Sequence, residues 1–157
     1  MKQVYFYETK LGKLGIAEEN SRITDIVFSN FLENGQIEET PLIKRAYSQI
    51  TEYLSGKRKA FDLPLAPKGT EFQETVWRAL MDIPYGETRS YAEIAGAVGN
   101  PKACRAVGGA NNKNPIAIVI PCHRVVGANG EMVGYGAGIG IKRQLLTLES
   151  PSGKYTK

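Results

Sequence analysis

The sequence predicts an α/β fold of the α+β kind, in which an antiparallel sheet with one helix precedes a mostly helical C-terminal domain. Between residues 3 and 29, apolar and polar residues alternate in short runs, which is typical of hairpin strands. After residue 69, apolar residues instead recur at helical spacing and capping motifs punctuate the chain. The stretch PKG between these regions is typical of a linker, so we expect two domains, residues 1–66 and 67–157.

The N-terminal domain is predicted to be a meander of strands with one helix. Strands are indicated over residues 3–9, 13–19 and 23–29, with short polar turns between them. From residue 40 to 54 the apolar positions change to helical spacing. The stretch KAFDLPLA, residues 59–66, predicts one more strand.

The C-terminal domain is predicted to consist of helices whose ends carry capping signals. The stretch TEFQ, residues 70–73, is a capping box that begins one helix, and SYAE, residues 90–93, is a second that begins a short helix ending at Gly99. Residues 100–101, Asn-Pro, supply an N-cap and a first-turn proline for the next helix. These two helices form a helix-turn-helix, and a final helix with an apolar buried stripe is predicted over residues 140–149.

Composition and charge exclude several classes of protein. No segment approaches the roughly 20 apolar residues of a membrane helix, and the start of the chain lacks the regions of a signal peptide. We therefore expect a cytoplasmic protein without a membrane partner. Two cysteines are too few for a disulfide framework. A net charge of +4 permits an anionic partner such as nucleic acid.

The second helix of the predicted pair carries residues suited to DNA. Most helix hairpins are only packing units. Here, however, Lys102 and Arg105 offer donors for phosphates and base edges, and the adjacent Gly108 and Gly109 allow a close approach of the backbone. Packing and DNA binding both remain open for this helix pair.

The stretch IVIPCHRVVG places a cysteine beside the single histidine of the chain. A cysteine attacks as its thiolate, so Cys122 needs a nearby base or positive charge. Neighbours on an extended chain point to opposite faces, so His123 could reach the thiol only through a bend, which Pro121 could supply, or through a water molecule. Glu149, at the end of the last predicted helix, is a candidate acceptor that would fix the histidine tautomer.

The two cysteines could also have roles other than that of an activated thiol. Cys104 lies on the apolar side of its predicted helix, which favours a buried, inert cysteine. One histidine and two distant cysteines cannot supply the ligands of a usual zinc site, so we expect neither a metal nor a cofactor. A redox pair would require Cys104 beside Cys122, which nothing in the sequence demands. A cysteine hydrolase remains physically possible.

Four stretches together resemble a known family, the O6-alkylguanine-DNA alkyltransferases, also called methylated-DNA–protein-cysteine methyltransferases. They are FQETVWRALMDIPYGETRSYAEIA, NPKACRAVGGANNKNPIAIVIPCHRVVG, GYGAG and IKRQLLTLE, and the resemblance covers residues 68–149. It implies direct-reversal DNA repair, in which an alkyl group moves once from O6 of guanine, or O4 of thymine, to the protein's own cysteine. The implied partner is double-stranded DNA containing O6-alkylguanine, bound by a monomer. The N-terminal residues resemble the family loosely, as a ribonuclease-H-like domain.

The resemblance implies a role for each residue that matches the family's pattern. Cys122 would accept the alkyl group from a nucleotide rotated out of the duplex, and His123 would deprotonate it through a water molecule. Glu149 would orient His123, and Tyr91 would donate a proton towards the departing guanine. Asn114 would tie the active-site loop to the DNA-binding helix, and Arg124 would also support the active site.

The resemblance also implies a DNA surface and a substrate pocket. Arg105 would enter the base stack where the target nucleotide was, and the helix from Lys102 to Asn111 would lie in the minor groove. Further DNA contacts are implied for Ser90, Lys102, Ala103, Gly108 and Asn111, and pocket positions for Tyr135, Val125 and Gly136.

One departure from the family's pattern affects the pocket. Gly136 stands where many relatives have a hydroxyl residue, so a contact to the O6 atom there must come from a backbone N–H, and tolerance for bulkier alkyl groups could change. Two other functions remain as alternatives, a DNA-binding sensor of alkylated guanine that does not transfer the group, and the cysteine hydrolase.

Overall fold

The computed structural model describes most of the chain in two units. The described residues are 2–29, 35–132, 135 and 138–150. The first unit lies within residues 1–68 and 115–119, and the second within residues 69–114 and 120–157. None of the helices in the described part of the chain combines the length and apolar character needed to cross a bilayer.

The first unit is a four-stranded sheet with one helix, which confirms the predicted antiparallel meander. Its strands are ordered β3-β2-β1-β4. The pairs β1–β2 and β2–β3 are antiparallel, and β4, which the sequence did not indicate, pairs parallel with β1. The elements are β1 (Lys2–Thr9), β2 (Gly12–Glu19), β3 (Arg22–Val27), β4 (Gly35–Ile37) and α1 (Pro41–Leu54).

The core of the first unit lies between α1 and one face of the sheet. The side chain of Thr40 accepts from the backbone N–H of Ile43 and so caps α1, while Pro41 begins the helix with its fixed φ. The apolar stripe of α1 packs on the inward residues of β1, β2 and β3. The buried residues include Val4, Leu14, Ile16, Ile23, Ile26, Ile43, Ala46, Ile50 and Tyr53.

The strand predicted over residues 59–66 is wrong. Only Leu65 forms an isolated bridge, with Ile23 of β3, held by hydrogen bonds from Ile23 N–H to the Pro64 carbonyl and from Ala66 N–H to the Ile23 carbonyl, both 2.8 Å. Pro64 has no N–H to donate, which limits the ladder at this point.

Residues 115–119 belong to the first unit, although the sequence placed them in the second domain. The N–H of Ile26 donates to the carbonyl of Pro115, and the N–H of Ala117 donates to the carbonyl of Ile26, each at 2.9 Å. The segment therefore adds a bridge beside β3, and the buried side chain of Ile116 joins the core there.

The second unit is mostly helical, as the sequence predicted. Both predicted capping boxes are present, at Thr70 with Gln73 and at Ser90 with Glu93. A two-stranded parallel sheet and a 3-10 turn complete the unit. Its elements are α2 (Glu71–Met81), β5 (Arg89–Ser90), α3 (Tyr91–Ala97), α4 (Cys104–Asn112), the 3-10 turn (Cys122–Arg124), β6 (Val125–Val126) and α5 (Ile139–Glu149).

The helix α4 begins later than the sequence predicted. Gly99 has a φ of +83° and ends α3 in a Schellman arrangement, in which Asn100 N–H donates to the Ala95 carbonyl and Gly99 N–H to the Gly96 carbonyl. Asn100 is thus committed to ending α3, and a turn intervenes before Cys104. As a result α4 starts without a side-chain cap.

The buried face of α5 is not the apolar stripe that the sequence predicted. The expected stripe was Ile141, Leu145 and Leu148, of which only Leu145 is buried. Leu146, Lys142 and Glu149 are buried with it. These four residues lie at spacings of three, four and seven, so they share one face of the helix. A cation and an anion therefore point into the second unit from α5.

Candidate active site

The backbone bends sharply at Pro121 and carries Cys122 inwards. Pro121 has φ −81° and ψ 64°, an inverse γ-turn, and the N–H of Cys122 donates to the carbonyl of Ile120 at 2.8 Å. The 3-10 turn of Cys122–Arg124 follows directly. Cys122 and His123 therefore do not lie on an extended chain, and the Cys122 side chain is 5% exposed.

His123, Glu149 and Arg124 form a buried hydrogen-bonded chain. His123 Nε2 lies 2.8 Å from Glu149 Oε2. The guanidinium of Arg124 donates to both carboxylate oxygens, from Nε at 2.8 Å and from Nη2 at 2.9 Å. Its Nη1 donates to the carbonyl of Ile83 at 2.7 Å. Such a two-point contact fixes the carboxylate in the plane of the guanidinium.

Glu149 is ionised in this chain. Burial alone would raise its pKa, but the hydrogen bonds from His123 and Arg124, together with their charges, outweigh burial and lower the pKa to about 2. The carboxylate therefore accepts and cannot donate. Its partner nitrogen, Nε2 of His123, must carry the proton.

His123 is a neutral imidazole whose second ring nitrogen is an acceptor. Burial lowers its pKa, against the opposing influence of Glu149. With Nε2 committed as a donor, Nδ1 is the acceptor, and within the described residues this buried atom has no hydrogen-bond partner. His123 thus has the tautomer and the free lone pair of a general base.

Several polar groups surround the sulfur of Cys122. Burial raises the pKa of the thiol, while the side chains of Asn114 and Tyr135 and the charge of Lys142 act to lower it. Tyr91 is half-buried at the start of α3, and burial and the charge of Cys122 raise the pKa of its hydroxyl. The buried Tyr135 hydroxyl shows the same effects more strongly, although its geometry falls short of a hydrogen bond.

Lys142 is the functional candidate that the sequence analysis missed. Its side chain is 0% exposed, its Nζ donates to the carbonyl of Val125 at 2.5 Å, and it lies 6.0 Å from the centre of the Tyr135 ring. Burial lowers its pKa to about 8, while the charge of Cys122 acts in the opposite direction. The spacing of Lys142 from Leu145 and Leu146 was the available signal, since it places a lysine on the buried stripe.

Two asparagines hold the backbone on either side of Pro121. Asn114 Nδ2 donates to the carbonyl of Ile120 at 2.8 Å, and Asn111 Nδ2 donates to the carbonyl of Cys122 at 3.2 Å. Asn111 was expected to contact DNA, but it is 2% exposed and faces the interior of the unit. This buried position does not suit a DNA contact.

The outer side of α4 and the turn before it are basic and exposed. Lys102 and Arg105 are exposed, and Ala103 between them is partly buried. Cys104, expected to be buried, is only partly so, because α4 starts at this residue and its first turn lies at the surface. Its sulfur lies 3.9 Å from the carbonyl of Pro101.

The remaining predicted residues lie around the site in other ways. Ser90 accepts from the N–H of Glu93 and caps α3, which begins at Tyr91. Gly108 faces the Tyr91 ring, since a Cβ there would lie 3.8 Å from a ring atom. Val125 is buried in β6, beside Lys142. Gly136 lies outside the described residues.

No metal site accompanies these residues in the described part of the chain. No group of three or more His, Cys, Asp or Glu side chains there could hold a metal ion. The site is instead a buried thiol beside a neutral histidine, an ionised carboxylate, a lysine and two tyrosine hydroxyls. Such an arrangement suits nucleophilic attack by sulfur with proton transfer.

Comparisons with known proteins agree with this chemistry. A family model described as 6-O-methylguanine DNA methyltransferase, ribonuclease-like domain, matches residues 4–67. A second, described as 6-O-methylguanine DNA methyltransferase, DNA binding domain, matches residues 71–151. The chain is 51% identical over 156 residues to the constitutive methylated-DNA–protein-cysteine methyltransferase of Bacillus subtilis, with 94% of each chain covered.

Solved structures give the same relationship. The crystal structure of Mycobacterium tuberculosis O6-methylguanine methyltransferase is similar with a TM-score of 0.89 and 43% identity, covering 96% of this chain and 94% of that one. A crystal structure of OGT from the same organism in complex with DNA is similar with a TM-score of 0.89 and 43% identity, covering 95% and 93%. The chain therefore belongs to the 6-O-methylguanine DNA methyltransferase family, DNA-binding repair enzymes named methylated-DNA–protein-cysteine methyltransferases.

Proposed function

We propose that this protein moves a methyl or other alkyl group from O6 of guanine in duplex DNA to the sulfur of Cys122, once per molecule. The observation that carries the proposal is the buried thiol beside a neutral histidine whose Nε2 is tied to Glu149 and whose Nδ1 is available. A reducing compartment such as the cytoplasm would keep Cys122 a thiol.

Ionisation of the thiol begins the reaction. His123 takes the proton at Nδ1 through one water molecule, and Glu149 stabilises the imidazolium that forms. The side chain of Asn114 and the charge of Lys142 favour the thiolate against the effect of burial. The proton transfer is transient because burial also disfavours a charged imidazole.

The transfer itself is a displacement at the alkyl carbon. A bond forms between Cys122 sulfur and that carbon as the bond from carbon to O6 breaks, and the electron pair of the broken bond goes to the guanine. Tyr91 donates a proton to the guanine, which suits a hydroxyl that burial keeps protonated. The proton that His123 took from the thiol then returns through solvent to Tyr91, so both residues end in their starting protonation states. The thioether has no carbonyl for water to attack, so one molecule acts once.

DNA binding brings the alkylated base to this thiol. The target lies inside the duplex, so the nucleotide must rotate out, at a cost of a few kcal/mol. Arg105, exposed on α4, would enter the vacated space, and Lys102 would contact a phosphate. In this arrangement α4 lies in the minor groove and one protein molecule binds one lesion. O4-alkylthymine, which presents the same alkyl–oxygen bond, is a second substrate.

Duplex DNA carrying labelled O6-methylguanine tests the proposal. Stoichiometric label on Cys122 is expected, and Cys122→Ala should bind the DNA without label. Cys104→Ser is the matched control, because Cys104 lies at the surface end of α4 and should leave labelling intact. Binding without label in the unsubstituted protein would indicate a sensor, and repeated release of methanol would indicate a hydrolase.

A further inference from the structure

We propose that Asn111 is a positioning residue for Cys122, through which α4 sets the place of the nucleophile. Asn111 projects from the buried side of α4, and its Nδ2 donates to the carbonyl of Cys122 at 3.2 Å. The helix that presents Arg105 outwards therefore also holds the residue that reacts. As a role in alkyl transfer, this inference rests on the proposed function.

The hydrogen bond from Asn111 is not needed to satisfy the Cys122 carbonyl. That oxygen already accepts from the backbone N–H of Val125, which closes the 3-10 turn. The other half of the carboxamide, Asn111 Oδ1, is buried without a hydrogen-bond partner in the described part of the chain. An unpaired buried oxygen opposes stability. Asn111 thus carries this cost while adding only a second donor to a carbonyl that is already satisfied. Its role is therefore to hold Cys122 in position rather than to stabilise the fold.

The contact is anchored at its α4 end, and the backbone at its Cys122 end relies on side-chain donors, so the contact can set position. The indole Nε1 of the buried Trp77 donates to the carbonyl of Ala110 at 2.8 Å, which pins α4 one residue before Asn111. On the other side, Pro121 has no N–H, and the γ-turn around it contains a single backbone hydrogen bond. Asn114 holds the carbonyl before Pro121 and Asn111 the one after it.

Loss of this donor should move the thiol relative to the groups that ionise it. Cys122 depends on Asn114, Tyr135 and Lys142 to offset burial, and each of these influences falls with distance. A leucine at position 111 keeps the number and branching of the side-chain heavy atoms while removing both the donor and the unpaired oxygen. The protein should still fold after that change, but the reactivity of Cys122 should fall.

The test compares Asn111→Leu and Asn111→Ala with the matched control Asn112→Leu, whose residue is the exposed neighbour on α4. All are made in a Cys104→Ser background, so that Cys122 is the only cysteine that can be alkylated. The pH profile of Cys122 alkylation by iodoacetamide requires no DNA. The limiting rate of transfer from O6-methylguanine duplex, the affinity for that duplex and the melting temperature are measured beside it.

The expected result for both Asn111 variants is a slower reaction of a well-folded protein. Iodoacetamide alkylation and limiting transfer rate should each fall roughly tenfold, the scale of a sub-ångström misplacement. The midpoint of the pH profile should rise, while DNA affinity stays that of the control. The melting temperature of Asn111→Leu should equal or exceed that of the control.

Three results would overturn the inference. The first is an unchanged iodoacetamide profile in both variants. The second is a loss of DNA affinity without a loss of thiol reactivity, which would make Asn111 a DNA contact. The third is a fall in rate that follows a fall in melting temperature and disappears on cooling. If the unsubstituted protein transfers no alkyl group but the iodoacetamide profile still shifts, the proposed function fails while the positioning of Cys122 by Asn111 stands.

Discussion

Replacing Glu149 with glutamine should destabilise the protein by an amount that depends on pH. The substitution keeps the shape of the side chain but removes the charge that accepts from His123 and from both nitrogens of Arg124. Arg124 is buried, and a buried cation that loses its partner is costly. The structure thus predicts a loss of stability much larger than that of an ordinary surface substitution.

The magnitude follows from the pKa of Glu149. A pKa of about 2 in place of the ordinary 4.5 corresponds to a preference for the charged, folded form of about 3 kcal/mol, at about 1.4 kcal/mol per pKa unit. Because the folded-state pKa is the lower one, this stabilisation is fully present above about pH 4.5 and is lost as the pH falls towards 2. Glu149→Gln should lower the free energy of unfolding by about 3 kcal/mol at pH 7 and by much less near pH 2.

Urea unfolding of both proteins across this pH range measures the effect. The difference in the free energy of unfolding between the two proteins should shrink as the pH falls. The unsubstituted protein then loses the stabilisation by the ionised Glu149, which the variant lacks at every pH. Glu131→Gln makes the same chemical change at an exposed residue of the second unit and should alter stability by less than about 0.5 kcal/mol. A difference between Glu149→Gln and the unsubstituted protein that stays constant from pH 7 to pH 2 would refute the assignment of an ionised, hydrogen-bonded Glu149.

Three further predictions concern reactivity and DNA. Lys142→Met should raise the pKa of Cys122, since it removes a buried positive charge, and the midpoint of the iodoacetamide pH profile should move upwards; an unchanged midpoint would contradict the electrostatic role. Arg105→Ala should slow transfer from duplex DNA much more than transfer from free O6-benzylguanine, and equal losses on both would exclude the role of filling the vacated space. The logarithm of the binding constant for duplex DNA should fall linearly with the logarithm of salt concentration, and Lys102→Ala should make that slope shallower by about 1; the same slope in the variant would place Lys102 away from the phosphates.

Local signals explain most of what the sequence predicted correctly. The capping boxes at residues 70–73 and 90–93 satisfy backbone donors with side chains three residues apart, so they depend on nothing distant. Alternation likewise placed the first three strands, because one face of that sheet is covered by α1. The pairing of His123 with Glu149 was also expected, and they do meet, at 2.8 Å.

Tertiary contacts explain what the sequence could not provide. The branched run before Pro121 has the composition of a strand, yet Ile118 has a φ of +72° and the run forms no regular ladder. A positive φ is unfavourable for a branched residue and persists only where the surroundings impose it. Burial of the lysine at position 142 has the same origin, since only the folded unit brings the Val125 carbonyl to its Nζ. No periodicity in one segment contains such information.

The charges around Cys122 divide into two pairs with different functions. Glu149 is balanced by Arg124 whether or not the thiol is ionised, so this pair supports the fold and the tautomer of His123. Lys142 donates to the backbone carbonyl of Val125 and interacts with the charge of Cys122. Ionisation of the thiol therefore adds a negative charge that interacts with the buried lysine. It follows that changes at Glu149 should appear first in stability, whereas changes at Lys142 should appear first in the pH dependence of the reaction.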